Sequence, residues 1–245
     1  MTRIRQNREL PAAGKTRRIA AMFDRIAPTY DLLNAFLSAG QHLRWARKLM
    51  HIAEPGSGET WLDIATGSGP LMVEGLRRQP GSRWIGLDPS RELLRLARKR
   101  KTLRNELLIL GVGEKLPLPD QSVHGITIAY GLRNFADPVA GVGEMARVLR
   151  PGGKVFILEF HPVQNEGGWG LKGFVQWYLE KILPWVGRIV SGDNAAYHYL
   201  AETAGSFWTL DRLNHELDSA RFDLIRQESW MGASVTLTVA RRPSR

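Results

Sequence analysis

The chain has 245 residues, 43% hydrophobic and 24% charged, and it contains no cysteine. That balance belongs to a globular chain with a true core; it excludes disorder, collagen or coiled coil as whole-chain descriptions, and also disulfides, a thiolate nucleophile and a Cys-based zinc site. The net charge of +10 is concentrated: residues 1–25 hold seven basic side chains against Glu9 and Asp24, and residues 91–104 hold seven against Glu92.

Two readings of these basic segments stay open, a solvated helix face with a mobile tail and attraction to an anionic lipid surface. Nucleic acid ranks below both, because no recognition motif accompanies the charge. There is no apolar run of about 18 residues and no signal-peptide-like start, so a cytoplasmic protein is expected, at most peripheral at a membrane.

In chain order, helices are expected over 17–38 and 42–52, from the spacing of Ile19, Met22, Phe23 and Ile26. Trp61–Ala65 reads as a buried strand running into glycines, followed by a helix to about Arg78, and Arg83–Asp88 reads as the second strand. A helix over 90–103 precedes a short strand at Leu107–Leu110, and the turn at Pro117, Pro119 and Asp120 precedes a fourth strand at Val123–Ala129. The next helix runs from Pro138 to Leu149, a Pro151-Gly152-Gly153 turn closes it, and Lys154–Glu159 is the fifth strand. Helix-length connections imply parallel strands with right-handed crossovers. Phe222–Trp230 and Ser234–Ala240 read as a terminal hairpin whose last strand runs antiparallel. Residues 161–220 exceed a plain crossover and carry Trp169, Phe174, Trp177, Tyr178 and Trp185, which fits a helix over the sheet edge or an apolar cover for a greasy ligand. The whole reads as one α/β domain over 1–245, with an N-terminal helical cover (1–53) and this aromatic-rich insertion or lid.

Chemistry concentrates at Asp63-Ile64-Ala65-Thr66-Gly67-Ser68-Gly69, a strand end turning through glycines into a helix, and at Asp88, which closes the next strand. A carboxylate so placed can accept two hydroxyl hydrogen bonds from a ribose. The third glycine of a dinucleotide fingerprint is missing and no phosphate-cradling loop is present. Asp-x-x-x-Gly-x-Gly resembles the S-adenosyl-L-methionine site of class I methyltransferases. Four further stretches are similar to the ubiquinone/menaquinone biosynthesis C-methyltransferases. They are Tyr30-Asp31-Leu32-Leu33-Asn34 with Ser38, Gly40, His42 and Trp45; Gly131-Leu132-Arg133-Asn134; Arg147 to Val155 running on to Leu158-Glu159-Phe160; and Tyr197-His198-Tyr199-Leu200.

The resemblance implies a Rossmann-like, seven-stranded class I methyltransferase sheet, mostly parallel with an antiparallel terminal strand and helices on both faces. It implies C-methylation of a prenylated quinol, demethylmenaquinol or a ubiquinol precursor. The cofactor set would be Asp63, Gly67, Ser68, Gly69, Asp88, Pro89, Val112, Gly113 and Ala129. Three positions depart from the family pattern. Pro70 stands where an acid is expected, Val112-Gly113 replaces an Asn/Asp-Ala pair, and Ala129 replaces a small hydroxyl residue.

Methyl transfer from a sulfonium needs alignment and exclusion of water more than acid–base power, and no metal. A carbon acceptor must be electron-rich, so a neighbouring ring oxygen has to be held or ionised. Arg133 and Asn134 are placed to stabilise that oxygen, Arg133 as a fixed cation rather than a base. His42, His198 and His161 are candidate proton acceptors. Tyr30, Asp31, Tyr197 and Tyr199 would line the acceptor pocket, and Asp63 either orients the cofactor or fixes the turn. Rival readings are a methyltransferase for a phospholipid amine or secondary metabolite, and a non-catalytic relative. A homodimer is the assembly considered.

Overall fold

The computed structural model describes residues 12–30, 32, 40–162, 199, 203, 207–230 and 234–244. Helix α1 (Ala12–Ile26) is followed at once by a 3-10 turn, Ala27–Thr29. The helix expected over 17–38 therefore starts earlier and breaks at Ile26. Pro28 has no N–H to return to the carbonyl of Asp24, so the α-helical ladder stops there. Helix α2 (Gln41–Ala53) starts from Gly40 in a left-handed conformation.

From there strand and helix alternate: β1 (Thr60–Ile64), α3 (Pro70–Arg78), β2 (Arg83–Asp88), α4 (Arg91–Lys99), β3 (Leu107–Leu110), β4 (Val123–Ala129), α5 (Pro138–Val148), β5 (Leu149–Phe160), α6 (Leu210–Ser219), β6 (Asp223–Trp230) and β7 (Val235–Arg241). Helix starts are set by side chains that cap orphan amides. Ser90, Asp137 and Thr209 accept from Leu93, Ala140 and Arg212 at 3.2, 3.0 and 3.2 Å.

The seven strands lie in the order β3-β2-β1-β4-β5-β7-β6. β1 to β5 are parallel, and β7 runs antiparallel between β5 and β6. This is the expected α/β sheet with its reversed terminal strand. After β3 the chain crosses back to start β4 beside β1, so the order reverses between those two strands. A crevice opens at their carboxyl ends, the usual ligand position in such sheets.

One expectation along the sheet is corrected. Pro151-Gly152-Gly153 does not separate helix from strand: β5 already begins at Leu149, and residues 150–153 bulge out opposite His124 between the pairs Val123–Leu149 and Gly125–Lys154. The last part of the long 161–220 stretch is α6, an ordinary sheet-covering helix with Leu213 and Leu217 buried. Trp169, Phe174, Trp177, Tyr178 and Trp185 lie outside the described residues.

The core has a layer on each face of the sheet. Leu62, Ile64, Ile126, Ile128, Val142 and Met145 fill one; Trp61, Met72, Trp84, Phe156 and Leu237 fill the other. Strand period two sends Trp61 one way and Leu62 the other. Trp61 packs on Trp84 and Phe156 at 5.6 and 5.8 Å between ring centroids. Gly75 and Gly125 make room for these indoles, since a Cβ there would fall 2.2 Å from Trp84 and 2.4 Å from Trp61.

Candidate active site

The turn after β1 holds three left-handed residues within five: Ala65 at φ 54°, Gly67 at 57° and Gly69 at 80°. Gly69 is the N-cap of α3 and Pro70 its first residue, where a missing N–H costs nothing. Thus Pro70 serves the helix start.

Two buried carboxylates secure this turn. Asp63 is 1% exposed and accepts from Thr66 Oγ1 and Thr127 Oγ1, both at 2.6 Å, tying the turn to β4. Burial pushes its carboxyl up to about 7 against the pull of those two bonds. Asp88, at the end of β2, accepts from the Gly67 and Ser90 backbone amides, each at 2.8 Å. Burial raises it to about 6, with those amides opposing. A carboxylate has about four lone-pair sites, so two remain for a ligand.

Asp88 lines a cleft of about 600 Å³, measured to its open mouth, over the carboxyl ends of β1, β2 and β4. Pro89, Val112, Gly113 and Glu114 continue the wall beyond Asp88; Ile64, Ala65, Ala129, Tyr130, Gly131 and Asn134 form the opposite side. Thr16, Ile19 and Phe23 of α1, with Tyr30, cover it. Helix α1 is held there by Asp24, whose Oδ1 accepts from Ser90 Oγ at 2.6 Å and Glu92 N at 3.1 Å, and by Lys15 Nζ donating to Phe135 O at 2.6 Å.

Of the residues expected around the cofactor, Asp88, Pro89, Val112, Gly113 and Ala129 lie in the cleft wall. Asp63, Gly67, Ser68 and Gly69 lie behind it. Ser68 is fully buried and held by Arg100, which donates to its carbonyl at 2.7 Å and its hydroxyl at 3.1 Å. Tyr30 lies against Gly67, where a Cβ would sit 3.3 Å from its ring.

At the β4–β5 end, Arg133 forms an ion pair with Glu159, their side chains 7% and 0% exposed. The guanidinium is thus neutralised by the protein itself, a partner that its position in the motif did not reveal. Asn134 Nδ2 donates to Tyr130 O at 3.3 Å, and its Oδ1 accepts from the Tyr199 hydroxyl at 3.2 Å. His161 Nδ1 lies 2.7 Å from the Trp208 carbonyl, and burial lowers the pKa of its imidazole. His42 is half-buried in the first turn of α2, away from the cleft wall. Asp31, Tyr197 and His198 lie outside the described residues.

Sequence reasoning missed Tyr130, Glu159, Phe135 and Asp24. Tyr130 stands beside Gly131 in the quoted motif, which was the available signal. A mostly parallel seven-stranded sheet with a carboxylate-lined cleft over β1, β2 and β4 defines a class I S-adenosylmethionine-dependent methyltransferase. The chain belongs to the ubiE/COQ5 methyltransferase family, which matches residues 12–241. It is 38% identical to the demethylmenaquinone methyltransferase of Thermus thermophilus over 91% of this chain and all of that one. It is 37% identical to the ubiquinone/menaquinone biosynthesis C-methyltransferase UbiE of Bordetella avium over 79% of this chain and 75% of that one. Among solved structures, a SAM-dependent methyltransferase from Aquifex aeolicus superposes with a TM-score of 0.57 over 80% of this chain and 89% of that one, at 17% identity. The protein is an S-adenosyl-L-methionine-dependent methyltransferase.

Proposed function

We propose that the protein methylates a ring carbon of a prenylated quinol, of the demethylmenaquinol or ubiquinol-precursor type. The observation that carries this reading is a cleft lined both by a hydroxyl-accepting carboxylate, Asp88, and by the aromatic side chains of Phe23, Tyr30, Tyr130 and Phe135. The names borne by the relatives fit the same acceptor class.

S-adenosyl-L-methionine, when bound, supplies a methyl group made electrophilic by its sulfonium. Asp88 would hold the ribose hydroxyls with its remaining lone pairs. Val112, Gly113 and Phe135 would hold the base; Val112 has no polar side chain, so the Glu114 carboxylate would supply acceptor capacity there. The turn from Ala65 to Gly69 sets the distance to β4. Tyr130 lies 5.1 Å from Phe160 and 6.5 Å from Trp45, and Trp45 stacks on Trp230 at 6.2 Å. Of these rings Tyr130 lines the cleft and the others back it, so an apolar ring would meet the Tyr130 face with little loss of hydrogen bonding.

In the reaction the ring carbon gains the methyl, the carbon–sulfur pair stays on sulfur, and the ring carbon gives up its proton. The protein contributes alignment, worth up to about 7–11 kcal/mol in favourable cases, and a dry site. Asn134, fixed by Tyr130 and Tyr199, sets the polar side of the acceptor pocket, and the Arg133–Glu159 pair is buried beyond the lining. His161 keeps a lone pair at Nε2, because its Nδ1 faces a carbonyl, but it stands outside the cleft wall, so the ring proton would reach it through an intervening group rather than directly.

A prenylated acceptor resides in a bilayer, and no helix among the described residues is long and apolar enough to cross one. Arg91, Lys99, Lys101 and Arg104 are exposed on and just after α4, and they would dock the enzyme on anionic lipid. The test is turnover with a prenylated naphthoquinol or benzoquinol in detergent, read as S-adenosylhomocysteine and a methylated ring. Failure with both quinol series, in an enzyme that binds S-adenosylhomocysteine, overturns the reading.

A further inference from the structure

Around the cleft, three buried side-chain polar atoms among the described residues have no hydrogen-bond partner: Tyr130 Oη, Arg133 Nε and His161 Nε2. Only Tyr130 belongs to the cleft wall. A buried unpartnered hydroxyl is costly and rare in a folded protein, so each instance asks for a partner. The rest of Tyr130 is firmly placed. Its backbone N donates to Leu158 O at 2.8 Å, its carbonyl accepts from Asn134, and its ring sits against Phe160 and Trp45. Its backbone is left-handed, at φ 57°, which a non-glycine residue adopts at a cost of about 1–2 kcal/mol. Gly131 follows because a Cβ there would fall 2.4 Å from the Ala65 Cβ. The fold thus holds a strained tyrosine at the end of β4, on the side of β1 away from Asp88.

We infer that the Tyr130 hydroxyl is the hydrogen-bond donor that holds the acceptor's ring oxygen next to the carbon to be methylated. The ribose end of the cleft lies across β1, so an oxygen reaching Tyr130 belongs to the acceptor rather than to the nucleoside. The hydroxyl keeps its proton: burial first, and the Glu159 carboxylate second, raise its pKa well above the ordinary tyrosine value, with Arg133 opposing. A neutral donor favours the ionised form of a ring hydroxyl and turns the adjacent carbon toward the methyl donor. This inference rests on the proposed acceptor class and names the residue that selects it.

The test is Tyr130→Phe, which removes one oxygen and leaves the ring packing intact. Three quantities are read in the full-length enzyme: calorimetric affinity for S-adenosylhomocysteine, kcat/KM for the quinol, and kcat/KM for the quinol with that ring oxygen methylated. The inference expects unchanged S-adenosylhomocysteine affinity and a fall of about 10- to 100-fold in kcat/KM for the quinol, the range of a hydrogen bond to a charging oxygen. It also expects O-methylation to penalise the wild type more than the variant, since the ether loses ionisation in both but loses the Tyr130 bond to a charging oxygen only in the wild type. Equal quinol kinetics in the two proteins overturn it, and so does a loss confined to S-adenosylhomocysteine affinity, which would assign Tyr130 to the cofactor. If the wild type binds S-adenosylhomocysteine but methylates no quinol, the acceptor class itself fails.

Discussion

The two ends of the cleft treat their polar groups in opposite ways. At the β1–β2 end Asp63, Ser90 and Asp24 are held by backbone amides and hydroxyls at 2.6–3.1 Å, and Asp88 accepts from two amides with acceptor capacity to spare. At the β4–β5 end the Tyr130 hydroxyl in the cleft wall, and Arg133 Nε and His161 Nε2 outside that wall, are buried without partners. The first end is pre-organised by the protein; the second leaves buried donors and an acceptor for whatever enters. On the proposed function, rigidity lies where the methyl donor would bind and unsatisfied capacity where the acceptor would enter.

The sharpest way to break that contrast is at the Arg133–Glu159 pair. Arg133→Met alone strands a buried carboxylate, and a stability loss of about 3–5 kcal/mol in urea titration is expected. Arg133→Met with Glu159→Leu should recover most of that stability without recovering turnover. Full recovery of both would reduce the pair to a structural role.

At the other end, Asp88→Asn turns an acceptor into a donor facing the Gly67 or Ser90 amide. A fall of about 100-fold in S-adenosylhomocysteine affinity is expected by calorimetry, corresponding to roughly 3 kcal/mol. The pH dependence sharpens this. The Asp63 and Asp88 carboxyls, at about 7 and about 6, stand above the unfolded value of about 3.9. Between about pH 4 and 7 the folded state therefore binds more protons than the unfolded chain, and these groups lose stability as pH rises. Thermal midpoints of the free wild type should fall relative to Asp63→Asn across that window. The added stability from S-adenosylhomocysteine should grow as pH rises through about 6, because only ionised Asp88 accepts both ribose hydroxyls. A pH-independent ligand effect would contradict that role.

The smallest expected effect is at Asp24. Removing it by Asp24→Ala deprives Ser90 and Glu92 of their acceptor, and a loss of about 1 kcal/mol is expected, the scale of a helix cap. Stopped-flow displacement should show faster release of S-adenosylhomocysteine; an unchanged rate would mean that α1 does not restrain the ligand.

Much of the scaffold was legible because it is written locally. Strand runs, helix spacing and caps such as Ser90 are read from neighbouring residues, and Asp88 was found from its distance to the glycine turn. Failures came where a distant partner decides. Ser68 lies in the glycine motif, and the structure buries it against Arg100, a partner the motif does not contain. The cationic role expected of Arg133 is altered by Glu159, 26 residues on. The Pro151-Gly152-Gly153 turn is absorbed into β5 because Gly152 and Gly153 exchange backbone bonds with Arg242 at 2.8 and 2.9 Å. Tyr130 was overlooked because an orphaned hydroxyl is a property of its surroundings, which sequence spacing does not encode.

Helix α1 makes one piece of chain both a wall and a fastener. Thr16, Ile19 and Phe23 close over the hollow, while Lys15 and Asp24 on the same helix latch onto Phe135 and the start of α4. A small molecule leaving past this helix would have to loosen these latches, which would link its exchange to the mechanics of α1. Conditions that loosen that segment would quicken traffic while admitting water to the dry interior.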